Sequence, residues 1–152
     1  MIHFAVHSFA ELDADLLYRI VRRREEVFVV EQECAYLDAD GHDRDAWHVV
    51  GFDDRDDLVA YARILPPGAT QADHPSIGRV LTVPSVRGHG VGRALMEWTL
   101  AQVDRLFAGA TVKISAQTHL EDFYVSLGFR TVGDGYLEGG IPHVALVREP
   151  VG

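Results

Sequence analysis

The sequence predicts a mixed α/β fold in which helices flank a layered sheet. Short apolar segments with strand-like alternation recur along the chain, and two longer segments carry apolar residues at helical spacing. Turn-forming residues separate most of these segments. The length of 152 residues and the 47% hydrophobic content suffice for one buried core, so residues 1–152 are expected to form a single domain.

The first part of the chain is predicted to hold a strand, a helix and a polar loop. Ile2 to Val6 alternates like a short strand, and Ser8 with Glu11 matches a capping-box pattern at a helix start. Apolar residues then recur at helical spacing from Leu12 to Val30, which predicts a helix whose apolar stripe packs on a sheet. The polar segment Glu33 to Asp45 is predicted to be a loop.

The middle of the chain is predicted to form an antiparallel hairpin and one further strand. Trp47 to Phe52 and Leu58 to Leu65 have strand character and flank the charged turn Asp53 to Asp57. Pro66 to Pro75 is predicted to be a loop, and Ile77 to Val83 the next strand.

The last part is predicted to contain two helices and three strands. Gly90 to Phe107 is a long amphipathic helix, Thr111 to Ala116 a strand, and His119 to Leu127 a shorter helix that Gly128 ends. The final strands are Phe129 to Tyr136 and His143 to Arg148. The predicted order is therefore β-α-β-β-β-α-β-α-β-β.

A glycine-rich run between a strand and the long helix predicts a pyrophosphate cradle. Gly88, Gly90 and Gly92 let the backbone approach a ligand, while the helix N-terminus with Arg87 and Arg93 favours an anion. The run lacks the Gly-Lys-Ser/Thr of nucleotidases, and its spacing differs from the G-x-G-x-x-G dinucleotide fingerprint. By itself it is also compatible with a strand-to-helix turn that binds nothing.

Two motifs in order give the chain a family resemblance. Arg87-x-x-Gly90-x-Gly92, followed by Phe123-Tyr124-x-x-x-Gly128-Phe129, resembles the GNAT superfamily of acetyl-CoA-dependent N-acetyltransferases. Further segments look like the ElaA-type branch of that superfamily: Phe28 to Gly41, Ala62 to Gly68, Ile77 to Val80 and Gly140 to His143.

The resemblance implies a mostly antiparallel sheet whose central strands, ending at Val83 and Gln117, splay apart and hold acetyl-CoA between them. The exposed backbone of the first of these strands would pair with the pantetheine amides, and the glycine-rich loop would hold the pyrophosphate. The cofactor-binding residues implied are Leu81, Thr82, Val83, Arg87, Gly88, His89, Gly90, Val91, Gly92, Arg93, Ala94 and Phe123.

The same resemblance makes Tyr124 the expected general acid, although helical spacing alone also fits a core aromatic. A phenol can protonate the thiolate that leaves when an amine attacks the thioester. His119, at the start of the Tyr124 helix, is the second expected catalytic residue. The first helix is expected to supply the acceptor site through Phe28, Glu31 and Gln32. Four candidates for the general base stay open: Glu31, His48, His119 and His143.

Charge and composition limit the partners. The formal net charge of −9 disfavours nucleic acid and favours a cationic small-molecule or peptide amine as acceptor. The segment Asp38 to Asp43 lacks the ligand pattern of a calcium loop, and the histidines lack zinc spacing, so no metal is expected.

The single cysteine and the absence of an export signal or a long apolar run predict a cytoplasmic protein without a membrane partner. Superfamily members often pair through edge strands, so a homodimer is compatible with the resemblance. The alternative to catalysis is a non-catalytic acyl-CoA-binding or sensor module.

Overall fold

The computed structural model describes residues 1–150, and its strands form two antiparallel sheets. The first sheet has the order β1-β2-β3-β4, with β1 at His3–Ser8, β2 at Trp47–Phe52, β3 at Leu58–Leu65 and β4 at Ser76–Thr82. The second has the order β5-β7-β6, with β5 at Val112–Gln117, β6 at Arg130–Glu138 and β7 at Ile141–Arg148. The predicted mixed α/β class and strand order are confirmed.

The two sheets meet at the start of β4 and β5 and separate from there. The amide of Lys113 donates to the carbonyl of Pro75 at 3.1 Å, which joins the two strands where both begin. Within residues 1–150 no ladder continues this pairing. The carboxyl ends of β4 and β5, at Thr82 and Gln117, therefore flank a gap, as predicted for splayed central strands.

Three α-helices cover the sheets, and short 3₁₀ turns precede or follow several of them. The α-helices are α1 at Ala14–Arg24, α2 at Val91–Leu106 and α3 at Glu121–Ser126, and a π-helical segment, Glu25–Glu31, continues α1. In the described part of the chain, none of these helices combines the length and apolar character that a membrane crossing requires.

The first helix begins later than predicted. The bond from the Ser8 amide to Glu11 Oε1, at 2.8 Å, belongs to a separate 3₁₀ turn, and Leu12 is extended. Asp13 caps α1 instead, because its carboxylate accepts from the Leu16 amide at 2.7 Å. Apolar periodicity continues across such a break, so the sequence pattern did not reveal it.

The core lies on both faces of the first sheet. On one face α2 packs through apolar side chains such as Leu95 and Met96, both fully buried. On the other face Ile20 of α1 and Val27 of the π-helical segment pack against Tyr61 and its neighbours. Because helices cover both faces, every residue of β3 is buried, and the edge of β4 is the part of this sheet that borders the gap.

Candidate active site

The glycine-rich loop forms an open turn at the start of α2. Gly88 and Gly90 have φ values of +83° and +77°, which favour glycine, and Gly90 is the residue that precedes the first turn of α2. Apart from the adjoining backbone, no atom lies within 4 Å of where a Cβ would stand on Gly88, Gly90 or Gly92. The Ala94 amide donates to the Gly90 carbonyl at 3.1 Å, so the amides between them have no helical partner and can bind an anion.

This loop lies beside α3, so the two sequence motifs meet. Arg93, in the first turn of α2, donates to Ser126 Oγ at 2.5 Å. Its guanidinium also lies 5.7 Å from the centre of the Phe123 ring. The start of α2 and the α3 residues Phe123 and Ser126 are therefore neighbours.

Tyr124 combines a buried ring with an uncommitted hydroxyl group. Its ring packs edge-on against Phe123 and Phe129, with centroids 5.2 and 5.8 Å away, and the residue is 7% exposed. Among residues 1–150 its hydroxyl has no hydrogen-bond partner, and burial raises its pKa to about 12. The phenol is therefore protonated at neutral pH and can donate a proton to a ligand.

Of the three residues predicted to pair with pantetheine, Leu81, Thr82 and Val83, only Thr82 turns its peptide groups towards the gap. The Val83 amide donates to the Val59 carbonyl at 2.9 Å, so this pair is bonded across the ladder. In an antiparallel ladder such pairs alternate with unbonded ones. Leu81 therefore also bonds to β3, whereas the amide and carbonyl of Thr82 face away from it, towards the gap.

Arg87 binds the carbonyl of Thr82 and the carboxylate of Glu31. Its Nε and one terminal nitrogen donate to the Thr82 carbonyl at 3.0 and 2.9 Å. Its two terminal nitrogens donate to Glu31 at 2.5 and 2.9 Å, and this bond holds the pKa of the Glu31 carboxyl below its usual range. The expected acceptor helix is thereby tied to the glycine-rich loop, although the two residues are 56 positions apart.

The other residues predicted on the acceptor helix have separate environments. Phe28 is half-buried and packs against the core on the α1 face. Gln32 is exposed at the end of the π-helical segment. The structure thus brings Glu31, but not Gln32, into contact with a predicted cofactor residue.

His48 has no free nitrogen for a substrate proton. The Asp43 carbonyl lies 2.9 Å from Nε2 and can only accept, so Nε2 carries the hydrogen. Nδ1 then accepts from the Tyr61 hydroxyl at 2.6 Å, and burial lowers the pKa of the fully buried imidazole. These bonds give His48 a structural role and leave it unsuited to act as the base.

His119 and His143 are placed differently. His119 is exposed in the 3₁₀ turn Thr118–Leu120, directly before α3. His143 pairs in register with Gln117, the last residue of β5, and is 8% exposed. Its Nδ1 donates to the Ile141 carbonyl at 2.7 Å, and its Nε2 lies 3.3 Å from a Glu138 carboxylate oxygen.

The acidic segment of the loop after α1 binds three arginines. Arg24, 1% exposed, donates to Asp38 and Asp43 at 2.7 Å each. Arg63 donates to both Asp40 oxygens at 2.8 and 2.9 Å and to Asp43 at 3.0 Å, and Arg79 Nε lies 2.8 Å from Asp38. Three positive charges thus balance three negative ones. No cluster suited to a metal ion occurs in residues 1–150.

The sequence did not predict that these arginines form one network, because they come from three different elements. One local signal accompanies them: Arg79 has a φ of +52° and lies where the β3–β4 register shifts. The shift turns Arg79 towards the loop, where its guanidinium lies 5.5 Å from the Tyr36 ring centre. The network therefore fastens the loop to the sheet next to the gap.

Acid is expected to weaken this network. The arginines lower the pKa values of Asp40 and Asp43 below the ordinary value of 3.8, although burial opposes them. Depressed carboxyl pKa values stabilise the fold at neutral pH, and this stabilisation is lost as the pH falls below about 3.8 towards the folded values. Urea unfolding between pH 7 and pH 2 should show it, and replacing Asp40 with asparagine should flatten the decline. An equally steep decline in that variant would contradict the prediction.

Comparisons with known proteins agree with this geometry. The profile of the acetyltransferase (GNAT) domain family matches residues 21–149. Protein ElaA of Escherichia coli is 40% identical, over 99% of both chains. Its crystal structure covers 98% of this chain and 100% of its own, with a TM-score of 0.91.

A second solved relative is an acyl-CoA N-acyltransferase from Pseudomonas aeruginosa. It is 38% identical, covers 97% of this chain and 99% of its own, and also has a TM-score of 0.91. A UPF0039 protein of Synechocystis is 40% identical, over 96% of this chain and 94% of its own. The chain therefore belongs to the GNAT acetyltransferase family, within the group that includes ElaA, and is an acyltransferase.

Proposed function

We propose that the protein transfers an acetyl group from acetyl-CoA to a primary amine of an acceptor bound beside the gap between β4 and β5. The observation that carries the proposal is the free, protonated hydroxyl of Tyr124 on α3, the helix to which Arg93 at the start of α2 bonds. The relative from P. aeruginosa, described as an acyl-CoA N-acyltransferase, supports the use of an acyl-CoA.

The transfer proceeds by direct attack in a ternary complex. The neutral amine nitrogen attacks the thioester carbonyl carbon, a C–N bond forms and the C–S bond breaks. Tyr124 donates its proton to the departing sulfur, and the amine gives up a proton to the base. Glu31, His119 and His143 stay candidates for that base. Of these three, His119 is the one that we propose.

The residues that would hold the cofactor come from the loop and the β4 edge. The unpartnered amides at the start of α2 would bind the pyrophosphate, assisted by the positive end of the helix. Thr82 offers the gap-facing peptide groups that a pantetheine amide needs. Phe123, which borders the same region, would pack against the cofactor.

Replacing Gly90 with glutamate should abolish binding of acetyl-CoA. The new carboxylate would enter the open space of the loop and repel the pyrophosphate. Gly109→Glu is the matched control, because Gly109 has the same φ of +77°, an equally open surrounding and a position just beyond the other end of α2. Both changes strain the backbone alike, so only the loop position separates them.

Calorimetry with acetyl-CoA, and with CoA, NAD and ATP as comparators, measures this difference. We expect wild type and Gly109→Glu to bind acetyl-CoA selectively and Gly90→Glu to show no binding. Equal binding of NAD, or no binding by wild type, would overturn the proposal. Tight binding without turnover on a broad panel of amines would instead support the non-catalytic sensor.

We further propose a cytoplasmic location and a cationic amine acceptor. Cys34 is the single cysteine of the sequence, which suits a reducing compartment, and the net charge of −9 favours a cationic partner. A homodimer through edge strands stays a prediction.

A further inference from the structure

Arg87 is shared between two acceptors that belong to opposite sides of the proposed site. Glu31 comes from the π-helical segment after α1, on the expected acceptor side, and accepts two hydrogen bonds from the guanidinium. The Thr82 carbonyl, on the gap-facing edge of β4, accepts two more. All three guanidinium nitrogens are therefore occupied in this arrangement.

Each of these two interactions of Arg87 competes with an interaction that the cofactor would make. The pyrophosphate would lie at the amides that begin at Val91, four residues after Arg87, and a guanidinium binds phosphate oxygens as readily as a carboxylate. A pantetheine amide that pairs with Thr82 needs the carbonyl that Arg87 covers. Arg87 thus bonds to the acceptor helix through the group that would bind the pyrophosphate, and it covers the carbonyl that would bind pantetheine.

The ion pair can exchange its partner at low cost. The side chains of Arg87 and Glu31 are 40% and 42% exposed, and exposed pairs of this kind stabilise weakly because water screens them. Arg87 can therefore leave Glu31 for a doubly charged pyrophosphate without unfolding the loop.

We propose that Glu31 and the cofactor pyrophosphate compete for Arg87, so that cofactor binding releases the Glu31 carboxylate towards the acceptor. This inference rests on the proposed function. A cationic amine would then meet a free carboxylate only after acetyl-CoA is bound, which imposes an order on the two substrates.

Calorimetry on Glu31→Gln tests the competition. Removing the carboxylate should tighten CoA binding about two- to five-fold, the range expected for loss of an exposed competing ion pair. Pantetheine, which lacks the phosphates, should bind wild type and variant equally. In an Arg87→Gln background, Glu31→Gln should leave CoA affinity unchanged.

A matched control separates competition from general electrostatics. Glu26 lies on the same π-helical segment, is 40% exposed in its side chain and also pairs with arginine, namely Arg22 and Arg23. Glu26→Gln changes the net charge by the same amount, so its smaller effect on CoA affinity sets the baseline. Thermal unfolding of each variant checks that the fold is kept.

A second measurement follows Glu31 directly. Arg87 holds the pKa of this carboxyl below its usual range, and saturation with CoA should raise the pKa towards that range, as read from the carboxyl ¹³C shift during a pH titration. The inference would be overturned if Glu31→Gln bound CoA no more tightly than wild type and CoA left the pKa of Glu31 in the wild type unchanged. The ion pair would then persist when the cofactor binds. Failure of wild type to bind CoA would overturn the proposed function instead.

Discussion

Replacing Tyr124 with phenylalanine is expected to lower kcat by about 100-fold or more, while the affinity for acetyl-CoA stays close to wild type. General acid catalysis typically contributes about 10² to 10⁴ in rate. The ring packs against Phe123 and Phe129 and the hydroxyl bonds to no described residue, so removing the oxygen leaves the packing intact. Release of CoA thiol, measured with the best acceptor from an amine panel, gives kcat.

A control variant, Tyr18→Phe, and the pH dependence of kcat provide two further checks on the role of Tyr124. Tyr18→Phe removes a hydroxyl from a tyrosine on α1 that is 67% exposed, and it should leave kcat unchanged. Because the pKa of Tyr124 is raised to about 12, wild type should keep its acid protonated, without a descending limb from this group, up to about pH 11. An unchanged kcat in Tyr124→Phe would remove this residue from the mechanism.

Replacing Arg24 with methionine is expected to lower the free energy of unfolding by about 3 to 5 kcal/mol. Removing one partner of a buried ion pair leaves the other charge buried without compensation. Arg24 donates three hydrogen bonds, to the Asp38 carboxylate, the Asp38 carbonyl and Asp43, so its loss leaves two carboxylates short of a partner. Domains of this size are typically stable by about 5 to 15 kcal/mol, so the change is large.

Urea unfolding measures this effect, and Arg22→Met provides the comparison. Arg22 lies on the same helix, is 69% exposed in its side chain and bonds to Glu26, so its loss should cost about 0.5 kcal/mol or less. Asp38→Asn in the Arg24→Met background should restore part of the stability, because Asp40 and Asp43 then balance Arg63 and Arg79. Equal stability of Arg22→Met and Arg24→Met would contradict the prediction.

Local patterns predicted the strands well, because each has its own apolar signal and its own turns. The hairpin of β2 and β3 is an example: the Asp53 amide bonds to the Asp57 carbonyl, and Asp56 takes a φ of +64°. The π-helical segment was not predicted, because Glu25 to Glu31 keeps an apolar spacing that a regular helix would share.

At the site, the sequence predicted the glycine-rich loop and Tyr124. It did not predict which distant side chains of the protein contact the residues of the site. The two motifs that contain these residues are local runs of the chain, so their spacing in the sequence was enough to recognise them. The pairing of Glu31 with Arg87 and of Arg24 with Asp38 depends on how distant segments pack. Nothing in the spacing of charges distinguishes such partners from solvated side chains.

The hydrogen bond between Lys113 and Pro75 joins β4 to β5 where both strands begin, and no ladder continues this pairing within residues 1–150. A molecule that bonds to the β4 edge and also packs against α3 would cross-link two halves that otherwise share few main-chain bonds. By mass action such a ligand stabilises the folded protein by about 2.7 kcal/mol at 100 times its Kd. The lifetime of this protein in a cell would then follow the supply of that ligand, independently of catalysis.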